Sequence, residues 1–432
     1  MKFIKKLAVA ATTAATLFAT VAGGLSSTVS ADSIPTKVTK KTTITFWNGM
    51  SGNQQKALQT LTQEFEKENP NITVKLENQG QYKDLQSKIT STLQSPKNLP
   101  TITQAYPGWL YNASKNDLLV DLKPYINNSK IGWGSVAKSG IKPSLMKGAQ
   151  INGTQYGIPF NKSVEVLVYN KTMLDKYGVK VPTTMAQLKS AAKTIYEKSN
   201  HQVVGAGFDS LSNYYVLGMK NEGVDFTSKI NLTSAKSKKV IDYYADGIKG
   251  GYFKTAGSQG YLSGDFANQK VAMFIGTSAG ESFVKKGVNG KFDYEVAPRP
   301  GKWNMQQGTD IYMFKNASKE QRTAAFMYMK FLTSKKSQLY WAQQTGYIPV
   351  SQDVINSSEY KNNKDSKVPA QVEAATKNLY TVPVTKNSNA AYQQMNTIMQ
   401  NILSHAKNHA KNGNLNSLIK QGESQFKNAW NQ

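Results

Sequence analysis

The stretch Thr43-Ile-Thr-Phe-Trp-Asn-Gly-Met-Ser-Gly52 begins with the residue alternation of a β-strand and ends in a glycine-containing loop. Residues 54–67 then place apolar side chains on one helical face, and residues 72–76 form a second strand pattern. A second helix pattern covers residues 82–93, and a third short strand pattern covers residues 100–105. This order of strand, helix, strand, helix and strand predicts a largely parallel sheet with helices on its faces.

The alternation of strands and helices continues through the chain. Further strand patterns occur at residues 164–169, 271–275 and 310–314, and residues 390–430 predict a helical tail that is broken at Asn412-Gly-Asn414. The chain has 432 residues, which is too long for one small core, so two domains are expected. The pattern therefore predicts a two-domain α/β protein.

The amino terminus has the pattern of a secretory signal peptide. Lys5 and Lys6 precede an uncharged run at residues 7–25, and Val29-Ser-Ala31 offers a cleavage site of small residues. We therefore predict a signal peptide at residues 1–31, with a membrane anchor as the alternative interpretation of the same run. We expect an exported protein at the extracellular face of the cell envelope, because no other stretch is long and apolar enough to span a bilayer.

The charge balance is strongly basic, with a formal net charge of +26 at pH 7 that comes almost entirely from lysine. Such a charge favours polyanions, which outside a cell are wall polymers and anionic lipid headgroups. A lysine-rich surface that only aids solubility is the alternative. No nucleic-acid partner is expected, because the lysines are scattered and arginine is nearly absent. The chain has no cysteine, so it cannot carry the cysteine-linked lipid anchor of many Gram-positive exported proteins.

One motif invites an enzymatic interpretation. Gly276-Thr-Ser-Ala-Gly280 matches the G-x-S-x-G turn of serine hydrolases and follows a strand pattern. A nucleophilic Ser278 needs an imidazole to accept its proton, and the histidines after it, His405 and His409, lie in a polar helical segment. A secreted serine hydrolase that uses Ser278 therefore stays an alternative, but no catalytic residue, metal or cofactor is expected.

Aromatic residues follow two of the predicted strands. Trp47 ends the first strand pattern, and Tyr106 follows the third in the sequence Tyr106-Pro-Gly-Trp109. Ligands of open α/β sheets bind at the carboxyl ends of parallel strands. We therefore expect Trp47 and Tyr106 near a ligand.

Several segments along the whole chain resemble one family. They are Ile44-Thr-Phe-Trp-Asn-Gly-Met-Ser-Gly52, Phe65-Glu-Lys-Glu-Asn-Pro70, Gln81-Tyr82, Pro159-Phe-Asn-Lys-Ser163, Val168-Tyr-Asn-Lys171, Phe266-Ala-Asn-Gln-Lys-Val-Ala-Met273 and Gln344-Thr-Gly-Tyr-Ile-Pro349. In these segments the chain resembles the family-1 extracellular solute-binding proteins of ABC importers, and it is most similar to the members that bind sn-glycerol 3-phosphate.

The resemblance implies a two-lobed periplasmic-binding-protein-like fold of class II, with the ligand cleft between the lobes. It assigns residues 32–156 and 309–355 to an amino-terminal lobe. Residues 157–308 and 356–432 are assigned to a carboxy-terminal lobe. It also implies that the partners are a small solute and the permease subunits in the membrane, and that no cofactor takes part.

The resemblance further implies a set of ligand-binding residues. They are Tyr82, Ser163, Ser278, Gly308, Tyr347 and Lys386. Two departures from the family pattern affect the ligand: Pro107 stands where the family has a glutamate, and Lys386 stands where it has a phosphate-binding arginine. Lysine keeps the positive charge without the planar donor geometry. The expected ligand is glycerol 3-phosphate or a related glycerophosphodiester, with an oligosaccharide as the alternative.

Overall fold

The computed structural model describes residues 34–406 and 415–431. The predicted signal peptide and His409 lie outside these residues. The described strands are β1 Thr42–Asn48, β2 Ile72–Asn78, β3 Ile102–Ala105, β4 Gly157–Asn170, β5 Val204–Phe208, β6 Phe253–Thr255, β7 Val271–Thr277, β8 Tyr294–Pro298, β9 Asn304–Met313 and β10 Leu379–Tyr380.

The described helices begin and end as follows. They are α1 Gly52–Glu68, α2 Tyr82–Thr92, α3 Tyr111–Lys115, α4 Lys123–Asn127, α5 Pro143–Gly148, α6 Lys171–Tyr177, α7 Met185–Lys198, α8 Leu211–Asn221, α9 Ala235–Lys249, α10 Ser263–Ala267, α11 Glu281–Val288, α12 Lys319–Leu332, α13 Lys335–Thr345, α14 Gln352–Asn356, α15 Ser358–Lys361, α16 Val372–Ala375, α17 Ser388–Ala406 and α18 Leu415–Asn431. Among the described residues, no helix combines the length and the hydropathy that crossing a bilayer requires.

The amino-terminal strands and helices agree with the sequence pattern. Helix α1 buries the apolar face that the pattern predicts, which includes Leu58, Leu61 and Phe65. Helix α7 begins at a capping box, in which the side chain of Thr184 accepts a hydrogen bond from the backbone N–H of Gln187. These elements form because amphipathic spacing and local capping favour the same local structure.

The strands form one ten-stranded sheet with the path β2-β1-β3-β9-β4-β7-β5-β6. Strand β1 is parallel to β2 and β3, and β5 is parallel to β6 and β7. In the middle of the sheet, β4 and β9 are antiparallel to each other and to their other neighbours on the path. The prediction of a largely parallel sheet is therefore correct for the two wings and wrong for the centre.

Strands β4 and β9 join the two wings. The first half of β4 pairs with β9, and its second half pairs with β7 and β8. The register of the β4–β9 pair shifts between Pro159 and Asn161, which is a β-bulge. Gly308 lies opposite this region with a φ of +86°, and a Cβ there would stand 1.9 Å from the carbonyl oxygen of Asn161. Only glycine fits this close approach of two backbones.

Each wing has its own hydrophobic core. Around β1 and β3, the core includes Phe46, Leu61 and Tyr328, and around β5 and β7 it includes Phe208 and Tyr244. Helix α17 packs against α8, α9 and α18 on the second of these cores. The molecule is therefore built as two α/β lobes connected through β4 and β9, while the lobe boundaries given above stay a prediction.

Two buried ion pairs lie where the lobes meet. The Nζ atom of Lys162 is 2.5 Å from Oδ1 of Asp310, and the Nε atom of Arg299 is 2.8 Å from Oε2 of Glu165. All four side chains are less than a tenth exposed. Removing one member of such a pair leaves an uncompensated buried charge, so both pairs constrain the geometry of the crossing strands.

Candidate ligand-binding cleft

A cleft of about 560 Å³ opens between the two lobes. Its aromatic lining residues come from both sides of the sheet. They are Tyr82, Tyr106, Tyr347, Tyr261, Phe283 and Tyr392. Amide side chains provide most of the polar lining, and they are Gln54, Gln81, Gln307, Gln393, Asn396 and Gln400. Aromatic faces and amides on opposed walls can hold a ligand that has both apolar and hydroxyl-bearing surfaces.

Tyr82, Tyr106 and Tyr347 form the amino-terminal wall of the cleft. The ring of Tyr82 stands edge-on to that of Tyr106, with a centroid distance of 5.9 Å, and both rings contact Trp109. The hydroxyls of Tyr82 and Tyr347 are 3.0 Å apart. This wall is therefore a set of rings held by one another before any ligand binds.

Asp209, Tyr261, Phe283 and Tyr392 form the carboxy-terminal wall. Tyr261 is 53% exposed and Phe283 is 40% exposed. Tyr261 lies in a loop in which Gly257 and Gly260 take left-handed backbone angles. This wall thus presents apolar rings to solvent across the cleft from the packed tyrosines.

Burial raises the pKa of the cleft tyrosines Tyr82 and Tyr106 well above the usual value for a phenol. Their hydroxyls therefore keep their protons at neutral pH. A protonated hydroxyl can both donate and accept a hydrogen bond, so these residues can bind a neutral, hydroxyl-bearing ligand.

Asp209 follows directly after β5, and its Oδ1 atom accepts a hydrogen bond of 2.8 Å from the backbone N–H of Leu262. Desolvation by burial, with a smaller contribution from the charge of Glu165, raises the pKa of Asp209 to about 8. The Asp209 carboxyl is therefore mostly protonated and neutral at pH 7.

The cleft carries little unbalanced charge. Glu165 lines it, but its carboxylate is neutralised by Arg299. Among the described lining residues, the one cation is Lys83, which is exposed. The electrostatics of the cleft therefore do not resemble a site built around an ionic ligand.

The structure brings five of the predicted site residues together. They are Tyr82, Tyr106, Ser163, Gly308 and Tyr347, and all of them line the cleft. Ser163 accepts a hydrogen bond of 3.0 Å from the hydroxyl of Thr277. The N–H of Gly308 donates to the hydroxyl of Tyr106 at 3.1 Å, so in this structure that N–H is not available to a phosphate.

Ser278 lies behind the wall of the cleft. It is fully buried, and its hydroxyl accepts a long hydrogen bond of 3.5 Å from the N–H of Val164. The lining residues here are its neighbours Thr277 and Ala279. The strand-to-helix turn thus directs the Ser278 side chain into the core, away from both a ligand and a substrate.

Three further positions of the sequence analysis also lie away from the cleft lining. Trp47 is 5% exposed, and its ring nitrogen donates to Glu77 at 2.8 Å. Pro107 is buried at the start of a 3-10 turn. Lys386 is exposed in the segment before α17 and is not a lining residue. The expectation of a phosphate contact at Lys386 therefore gains no support from its position.

The sequence analysis missed the carboxy-terminal wall. Asp209 follows the strand pattern of residues 204–208, so the rule that selected Tyr106 could also have selected Asp209. Tyr261 and Phe283 had a weaker signal, which was an aromatic residue beside a glycine-rich turn. Tyr392 lies within a helix, and only the tertiary packing of α17 brings it to the cleft.

Residues 60–370 match the family of bacterial extracellular solute-binding proteins. Similar proteins include the sn-glycerol-3-phosphate-binding periplasmic proteins of Shigella flexneri and Escherichia coli K12. Each is 24% identical to this chain over 332 residues, and the match covers 72% of this chain and 74% of the relative.

Solved structures of two-lobed binding proteins have the same fold. The substrate-binding protein Lmo0181 of Listeria monocytogenes, solved with cycloalternan, superposes with a TM-score of 0.77 at 19% identity and covers 90% of this chain and 99% of its own. The protein UgpB of Mycobacterium tuberculosis, solved with glycerophosphocholine, also gives 0.77, at 17% identity, covering 90% of this chain and 98% of its own.

These matches confirm the predicted two-lobed α/β fold and the predicted family. Proteins of this family and fold bind small solutes for transport. The chain belongs to the bacterial extracellular solute-binding proteins and is the substrate-binding subunit of an ABC importer.

Proposed function

We propose that this subunit captures a neutral, polyhydroxylated solute of the oligosaccharide class and delivers it to its permease. The observation that carries this proposal is the composition of the cleft, where tyrosine rings and amide side chains outnumber charged groups. The exposed rings of Tyr261 and Phe283 suit the apolar faces of sugar rings. The amides and phenols suit sugar hydroxyls, because each can donate and accept hydrogen bonds.

The charged groups of the cleft support the same ligand class. The Glu165 carboxylate is already paired with Arg299, and the raised pKa of Asp209 keeps its carboxyl neutral at pH 7. An anionic ligand buried here would find Lys83 as the one cation among the described lining residues. A buried charge without partners is costly, whereas a neutral sugar avoids that cost.

Glycerol 3-phosphate or a glycerophosphodiester is the second candidate. The relatives that are 24% identical bind sn-glycerol 3-phosphate according to their names, and Lys83 could pair with a phosphate at the rim of the cleft. Against this candidate, Lys386 lies outside the lining and the Gly308 N–H already donates to Tyr106. We therefore rank it below a neutral saccharide.

A thermal-shift screen of the protein without its signal peptide tests the proposal. The panel contains maltotriose, cycloalternan, sn-glycerol 3-phosphate and glycerophosphocholine, because a ligand that binds only the folded state raises the melting temperature. We expect a shift with a neutral saccharide that persists in high salt. A shift only with the phosphate compounds, weakened by salt, would reverse the ranking.

A further inference from the structure

Two chains of hydrogen bonds end at the cleft tyrosines, and each begins at a group that cannot reverse its role. A backbone N–H can only donate, and an ionised carboxylate can only accept. Amide side chains between such a group and a tyrosine must therefore take one orientation. The direction of the tyrosine O–H then follows from the network.

The first chain begins at the backbone of the amino-terminal lobe. The N–H of Gly49 donates to Oε1 of Gln104 at 3.1 Å, which turns the amide nitrogen of Gln104 toward Asn161. That nitrogen donates to Oδ1 of Asn161 at 3.1 Å, and the hydroxyl of Thr309 donates to the same oxygen at 2.6 Å. The Nδ2 atom of Asn161 then donates to the hydroxyl oxygen of Tyr82 at 2.7 Å.

A flipped Asn161 would conflict with this arrangement. Its NH2 group would face the NH2 group of Gln104, and its oxygen would take the place of the donor to Tyr82. Gln104 cannot flip to compensate, since its oxygen is held by the Gly49 N–H. Both amides are fully buried, so water does not offer an alternative partner.

The amino-terminal wall is therefore left with O–H groups to donate. Tyr82 already accepts from Asn161, so the pair of hydroxyls on Tyr82 and Tyr347 shares one internal bond and keeps one O–H for a ligand. The Tyr106 hydroxyl accepts from the Gly308 N–H, and its own proton is likewise free to be donated into the cleft.

The second chain begins at a buried ion pair in the carboxy-terminal lobe. The Glu165 carboxylate accepts from Nε of Arg299 at 2.8 Å and from Nδ2 of Asn213 at 2.9 Å. This contact directs the Oδ1 atom of Asn213 toward Tyr392, whose hydroxyl donates to it. With its proton used in this way, Tyr392 has only lone pairs to offer to a ligand.

We propose that the two walls have opposite hydrogen-bond polarity, with Tyr82, Tyr106 and Tyr347 donating to the ligand and Tyr392 accepting from it. Asn161 and Asn213 are the positioning residues that set this polarity. The inference deepens the proposed function and rests on it for the class of ligand, whereas the proton positions do not depend on any ligand. A saccharide would bind in one orientation, with ring or glycosidic oxygens toward the first wall and a hydroxyl donor toward Tyr392.

Neutron diffraction from perdeuterated, ligand-free crystals tests the polarity directly. We expect the Tyr392 deuterium on the line to Oδ1 of Asn213 and an Asn161 deuterium on the line to Tyr82. The Tyr106 deuterium should point into the cleft. A Tyr392 deuterium that points into the cleft, or an Asn161 oxygen that faces Tyr82, overturns the proposal.

Calorimetric titration tests the consequence for binding, with maltose and its singly deoxyfluorinated derivatives as probes. Fluorine cannot donate a hydrogen bond, so we expect one fluorinated position to weaken binding to the unchanged protein about tenfold. Tyr392→Phe should bind maltose and that derivative equally. If Tyr392→Phe stays as sensitive as the unchanged protein at every position, Tyr392 is not the acceptor. If maltose does not bind at all, the saccharide function is in question for this probe, and the neutron maps still decide the polarity.

Discussion

The two walls of the cleft differ in how much of their structure exists without a ligand. On the amino-terminal wall, Tyr347 is 5% exposed and stacks on Trp341 with a centroid distance of 5.7 Å. On the carboxy-terminal wall, Tyr261 is 53% exposed. Exposed aromatic surface inside a cleft marks a place where a ligand is missing. The comparison indicates that one wall is preorganised and that the other gains its contacts on binding.

The largest difference should be in stability, and Tyr347→Ala tests it. Removing this buried ring leaves a cavity beside Trp341 and should lower the free energy of unfolding by about 3–5 kcal/mol. Urea unfolding followed by circular dichroism measures the change. Tyr347→Phe is the control, since it keeps the ring and should cost only about 1 kcal/mol. Equal stability of Tyr347→Ala and the unchanged protein would contradict a preorganised wall.

Tyr261→Ala tests the opposite wall. We expect its free energy of unfolding to change by less than about 0.5 kcal/mol, because the ring has few contacts to lose. Its affinity for the best saccharide should fall about tenfold, which corresponds to about 1.4 kcal/mol. Calorimetric titration measures the affinity, and Tyr340→Ala, a tyrosine outside the cleft lining, is the matched control. Undiminished affinity of Tyr261→Ala would remove this ring from the site.

Asp209 gives the carboxy-terminal wall a dependence on pH. The folded protein holds the Asp209 proton up to about pH 8, whereas an unfolded aspartate releases it near pH 4. Between these values the folded state binds more protons, so this group lowers the free energy of unfolding as the pH rises from about 4 to about 8. Below pH 4 the penalty is absent.

Asp209→Asn should remove that dependence while keeping an oxygen for the Leu262 N–H. At pH 8 we expect the variant to exceed the unchanged protein in stability by at least about 1.4 kcal/mol, the equivalent of one pKa unit. At pH 4 the two should agree. Urea unfolding at several pH values measures the difference, and a difference that does not vary with pH would show that Asp209 titrates normally.

The smallest effect is expected for the lysines. Lys83→Gln and Lys386→Met should each leave the affinity for a neutral saccharide within about twofold, because an exposed charge contributes little to a neutral ligand. Titration at low salt, where an ionic contact is screened least, is the strictest measurement. A loss of tenfold or more in either variant would return the site to an anionic ligand.

The sequence predicted the amino-terminal wall better than the carboxy-terminal wall for a physical reason. Tyr82 and Tyr106 follow strand and helix patterns directly, so their place at the edge of the sheet is set by local order. Tyr392 and Phe283 reach the cleft through helices whose packing depends on distant parts of the chain. Periodicity shows that such a helix has a buried face, but it does not show which residues of the exposed face meet the cleft.

The prediction for Ser278 shows a second limit. The motif around it correctly indicated a strand-to-helix turn, which the structure places after β7. Whether Ser278 or its neighbour Thr277 faces the cleft depends on the twist of one residue pair at the strand end, because successive side chains point to opposite faces. The pattern locates the turn, and only the three-dimensional structure selects the residue.

Titration calorimetry of the protein without its signal peptide tests the central claim most directly. The titrants are maltotriose and cycloalternan on one side, and sn-glycerol 3-phosphate and glycerophosphocholine on the other, each at low and high salt. The account predicts that a neutral saccharide binds with an affinity that salt does not change. Tighter binding of a phosphate compound, lost as the salt concentration rises, would contradict it.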